Sequence, residues 1–141
     1  MAATYSSFMT TKYYSPVFNT ALFDGPFRIY FSQNYESSTL KIYHLLQTQY
    51  KDLWGQLKAW TQNSREHVFL LMYPEDKDLQ IVFAETTKNA KATVQLQSWD
   101  EGIVLGISQP VTDLDLALQV EQIGSMLQNW MEKQKNYEAS L

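Results

Sequence analysis

Four segments in a row follow the two-residue period of a β-strand: 67–73, 79–84, 92–99 and 103–108. Successive strand side chains point to opposite faces of a sheet, so each segment divides into two sets. One set is Leu79, Ile81, Phe83, Val94, Leu96, Ile103, Leu105 and Ile107, which reads as a core. The other contains Val68, Leu70 and Met72, or Phe69 and Leu71 if that strand is phased the other way, together with Val82, Trp99 and Val104. A half-solvated antiparallel sheet alternates apolar and polar more cleanly than this. The second face is therefore expected to be covered, either by this chain or by another.

Upstream, Asp24-Gly25 marks a turn between a short strand at 20–23 and a better one at 27–32, although Pro26 argues against a simple two-residue hairpin. Ser37 or Ser38 can cap a helix running over 38–62. Its stripe is Tyr43, Leu46, Tyr50, Leu53, Leu57 and Trp60, at alternating steps of three and four. A second helix is predicted over 113–134. Thr112-Asp113-Leu114-Asp115 forms a capping box with Asp in the last position, and Leu116, Val120, Ile123, Leu127 and Trp130 make the apolar face.

The resulting order is ββαββββα. Two amphipathic helices need one apolar face to cover, so the expected fold is α+β: a two-layer sandwich with both helices on one side of a mostly antiparallel sheet of five to six strands. This order is similar to that of the longin, roadblock and profilin-like group of small domains. The similarity is one of architecture and implies no activity. Residues 1–23 carry one charge, Lys12, among Tyr5, Phe8, Tyr13, Tyr14, Phe18 and Phe23. They read as an arm, weakly ordered or docked, on a single domain spanning 24–141.

Composition narrows the function by exclusion. A net charge of −4 without a basic run disfavours nucleic acid, whose phosphates require Lys and Arg. The absence of cysteine rules out thiol catalysis and thiolate metal sites. The longest apolar run, Val68 to Tyr73, is far short of the ~20 residues of a membrane span, and no signal-peptide pattern opens the chain. Cytoplasmic location is the expectation. His44 and His67 are separated by a helix and have no ligand-type neighbour at metal-binding spacing. No serine sits in a nucleophile elbow, and no glycine-rich loop could hold a phosphate, so neither a catalytic residue nor a cofactor is expected.

Two surfaces remain as candidates. Tyr30, Leu70, Met72, Val82, Trp99 and Val104 would form a partner-binding patch on the outer sheet face. In a meander, alternate turns fall at the same end, which would bring Glu75, Asp76 and Asp78 to about 10 Å from Asp100 and Glu101 as an acidic rim. The expected function is a non-enzymatic protein-interaction domain, an adaptor or regulatory subunit, homodimeric or with another protein. An inhibitor or immunity protein is the same reading with an enzyme as partner. The alternative is a ligand-binding domain or enzyme with an aromatic pocket of Tyr43, Tyr50, Trp54, Trp60 and Trp130 between the first helix and the sheet.

Overall fold

The computed structural model describes residues 4–6, 18–64, 66–75, 77, 79, 94–99 and 102–140. The strands are β1 (Thr4–Ser6), β2 (Thr20–Asp24), β3 (Phe27–Phe31), β4 (His67–Tyr73), β5 (Val94–Trp99) and β6 (Gly102–Ser108). Among the described residues three α-helices accompany them: α1 (Glu36–Gln49), α2 (Lys51–Ser64) and α3 (Asp113–Ser140). The sheet order is β1-β2-β3-β4-β6-β5, with three-residue β1 added at the β2 edge. The class is α+β, as the alternating periods predict.

The sheet is mixed rather than mostly antiparallel. β3, β4 and β6 run parallel, while β2 pairs antiparallel with β3, and β5 with β6. The physical reason is the crossover: residues 32–66 carry both α1 and α2 and return the chain to the starting end of the sheet, as parallel pairing requires. β5 then lies on the far side of β6, so β4 and β5 are not neighbours and the meander does not form. Leu79, the first residue of the strand expected at 79–84, is helical, and 80–84 lie outside the described residues.

Local chemistry explains the junctions. Gly25 takes φ 57 at the first position of a two-residue β2–β3 loop closed by the Asp24–Phe27 pair. Primed hairpin turns need that positive φ. Pro26 does not break the hairpin, because its missing N–H has no role there and its carbonyl accepts a 3.0 Å bond from Val68 N. The Thr112–Asp115 capping box is reciprocal. Asp115 N donates to Thr112 Oγ1 at 3.1 Å, and Thr112 N donates to Asp115 Oδ2 at 3.2 Å.

The helix expected over 38–62 is two helices. Tyr50 departs from helical geometry (φ −123, ψ 45) while Tyr50 N still donates to Leu46 O and Trp54 N to Tyr50 O. Its ring lies against Gly124 of α3, where a Cβ would stand 2.1 Å from the Tyr50 Cζ. A bulky side chain crossing a glycine on the facing helix thus accompanies the bend. All three helices cover one sheet face. Leu46, Leu53, Leu57, Leu116, Ile123 and Leu127 bury against Phe27, Ile29, Leu70, Met72, Ile103 and Leu105. Each such aliphatic contributes roughly 1.5–3 kcal/mol by leaving water.

Candidate functional site

The second sheet face is closed within the chain. Register places Ala21 beside Tyr30, Tyr30 beside Leu71, Phe69 beside Val104, and Val104 beside Gln97. Ala21, Tyr30, Phe69, Leu71, Tyr73 and Val104 form a second buried cluster with Phe18 and Leu79. The Phe18 ring lies 4.9 Å from Tyr73, and Tyr30 lies 6.3 Å from Phe69, distances of productive aromatic contact. β2 and Phe18 thus belong to the sheet and its cover, ahead of residue 24.

Of the six expected partner-binding residues, Tyr30 and Val104 lie on this face, and both are buried. Leu70 and Met72 do not. They pair with Ile29, Leu105 and Ile107 and face the helices, so β4 is phased with Phe69, Leu71 and Tyr73 outward. Either phasing is apolar, and a one-residue slip exchanges the two faces, so alternation alone could not choose. Val82 lies outside the described residues, as does the side chain of Trp99, whose backbone pairs with Gly102.

Of the five residues expected to form an acidic rim, Glu75 is the one among the described residues. Glu75 follows Tyr73, which pairs with Ser108, whereas the β5–β6 link ends at Gly102, which pairs with His67. Tyr73 and Gly102, the described residues that adjoin the two expected turns, thus stand at opposite ends of β4, about 20 Å apart at strand rise. Parallel pairing of β4 with β6 produces this separation. Glu75 pairs with Lys77 at 3.1 Å on the surface, and Asp76, Asp78, Asp100 and Glu101 lie outside the described residues.

The edge of the second face carries its charge. Arg28 lies 4.7 Å above the Phe23 ring and donates to the carbonyls of Gly25 (2.6 Å) and Phe27 (3.1 Å). Burial lowers its pKa, with Tyr30 opposing, and burial raises that of Tyr30, with Arg28 opposing. Burial and then the Arg28 charge lower the pKa of His67, which favours its neutral form.

The five aromatics proposed to line a pocket mostly pack on one another. Phe27 stacks on Trp54 at 4.3 Å, Tyr43 meets Trp54 edge-on at 5.9 Å, and Trp60 meets Trp130 at 4.6 Å. Tyr43 Oη donates to Asp24 Oδ2 at 2.6 Å. Burial, and then Asp24, hold its pKa far above the ordinary phenol value, so Tyr43 stays protonated and its hydrogen bond ties α1 to the hairpin. The nearby Trp54 N–H works weakly the other way but, though buried, completes no hydrogen bond. A cleft of about 700 Å³ between α2 and α3 is lined by Asp52, Gln56, Gln128, Asn129 and Glu132 with Leu53 and Met131, and by none of the five. Among the described residues no group of three His, Asp or Glu could hold a metal ion. No helix among them is long and apolar enough to cross a membrane.

Exposed apolar surface gathers elsewhere. Among the described residues the exposed large hydrophobics are Val111 (90%), Leu114 (68%), Leu118 (48%) and Tyr35 (39%). Leu114 and Leu118 stand one turn apart near the start of α3, Val111 lies just ahead of that helix, and Tyr35 caps α1 across a cleft of about 320 Å³ that Val111 also lines. Lys41 Nζ and Asp113 Oδ1 approach to 3.7 Å at its mouth. Pattern reading missed this ridge because it sought only the buried stripe of α3. The available signal was Leu114 and Leu118, apolar positions left over once Leu116, Val120, Ile123 and Leu127 had filled the core side. No protein-family model matches the chain, and no curated protein or solved structure matches it either.

Proposed function

We propose that this chain is a non-enzymatic protein-interaction domain that docks through the corner where α1 and α3 begin. The observation that carries the reading is that the exposed large hydrophobics among the described residues are Tyr35 at the start of α1 and Val111, Leu114 and Leu118 around the start of α3, with Tyr35 and Val111 on one cleft, while the clusters on both sheet faces are buried. Contiguous exposed apolar patches of several hundred Å² tend to mark interaction sites, whereas hydrophobics scattered singly need no explanation. The outer sheet face, including Tyr30 and Val104, then serves stability, and the surface for a partner moves to the corner.

Photo-crosslinking in a lysate of the source cells tests the reading. A benzoylphenylalanine placed at Leu114 should give discrete adducts that one placed at exposed Lys58 of α2 does not. Excess unlabelled wild-type chain should compete the adducts away, and Leu114→Ser/Leu118→Ser should fail to compete. Both leucines are exposed, so that variant should fold with stability within about 0.5 kcal/mol of wild type. Equal labelling from both positions, or full competition by the serine variant, would contradict the proposal.

A further inference from the structure

We infer that the occupant of this corner is a basic amphipathic helical segment of another protein, with one large apolar side chain seated in the α1–α3 cleft; this rests on the interaction reading above. Three observations select that occupant over a second copy of the chain.

The first is area. Four partly exposed side chains present on the order of 400 Å², within the range of the largest single patch on an ordinary monomer and about half of the ~800 Å² per partner that a standard stable interface buries. A folded subunit needs more, while a helical segment reading spaced anchors along a ridge needs no more than this. Leu114 and Leu118, one turn apart on α3, offer such anchors, and the 320 Å³ cleft beside Val111, just ahead of the helix, has room for one inserted side chain.

The second is charge. Glu36 opens α1, and Asp113, Asp115 and Glu121 flank the ridge on α3, with Lys41 the cation at the cleft. Four carboxylates against one ammonium leave a net of −3. The positive ends of α1 and α3 offset about half a charge each, leaving roughly −2. Such a rim favours a cationic partner and disfavours an acidic one.

The third is symmetry. A two-fold contact is self-complementary, so the same patch must accept itself. Antiparallel pairing of two α3 ridges brings Glu121 of one copy towards Asp113 and Asp115 of the other, and parallel pairing sets Asp113 against Asp113. Acid meets acid in both.

The test uses the full chain and two short fluorescein-labelled synthetic helical peptides. They share one leucine stripe and differ only in carrying lysine or glutamate at the polar positions. Anisotropy titration should show the lysine peptide binding about tenfold more tightly, a preference that shrinks as salt rises. Asp113→Asn/Glu121→Gln should bring the ratio towards one, and Leu114→Ser/Leu118→Ser should abolish binding of both peptides. Equal affinities that still vanish in the serine variant would overturn the basic-partner inference and leave the interaction reading standing. Binding of the lysine peptide that survives in the serine variant would overturn both. A wild-type dimer in sedimentation that dissociates in the serine variant would assign the corner to a second copy and overturn the inference.

Discussion

Val104→Asp should lower stability by about 4 kcal/mol or more, enough to leave little folded protein. Val104 is fully buried in the middle of β6, between Phe69 of β4 and Gln97 of β5, on the face away from the helices. A carboxylate there loses its hydration among apolar neighbours, with no cation among the described members of its cluster, which costs several kcal/mol even after the group takes up a proton. Domains of this size have about 5–15 kcal/mol in total. A valine on a sheet face open to water would tolerate the change to within about half a kcal/mol. Urea unfolding therefore reads directly whether this face is closed. Lowering the pH should recover part of the loss, because protonation removes the buried charge.

Gly102→Ala should cost a comparable amount for a different reason. Gly102 has φ 142, a conformation that side chains with a Cβ rarely adopt. A Cβ there would stand 1.9 Å from the His67 carbonyl oxygen and 2.7 Å from its nitrogen, both backbone atoms. The clash cannot be relieved by rotating a side chain, so β4 and β6 must separate where their ladder begins. Strain of about 1–3 kcal/mol from the dihedral adds to the lost pairing, for a total near 4 kcal/mol. Gly25→Ala isolates the first component, since Gly25 has φ 57 and open space around it. It should cost only about 1–2 kcal/mol. Equal losses at both glycines would show that the His67 contact is not what constrains Gly102.

Local chemistry was legible in the sequence wherever one short segment determined the outcome. The Thr112–Asp115 capping box formed, and the core positions Leu53, Leu57, Leu116, Ile123 and Leu127 are all buried. The conclusion that the outer face needed a cover also followed from the residues, and Phe18 and Leu79 contribute to that cover. Strand direction was not legible. Whether β5 or β6 lies beside β4 is a matter of long-range pairing, and no periodicity within the strands records it. With β6 parallel to β4, Tyr73 and Gly102, which adjoin the two acidic segments, fall at opposite ends of the sheet. The phase of β4 was hidden because Val68, Leu70 and Met72 are as apolar as Phe69, Leu71 and Tyr73. The break at Tyr50 depends on a ring meeting Gly124, a contact between positions far apart in the chain.

The described core positions of both sheet faces are buried within one chain, and among the described residues the exposed large hydrophobics lie where α1 and α3 begin. Hydroxyl-radical footprinting of the monomeric protein tests this burial most directly, because oxidation of a side chain follows its contact with solvent. Leu114, Leu118 and Tyr35 should be oxidised rapidly, while Tyr30, Phe69 and Tyr73 should be protected to the same degree as Phe27 and Tyr43 of the helix-covered core. Rapid oxidation of Phe69 and Tyr73 in the monomer, at rates matching Tyr35, would show the outer face open to water and contradict the account.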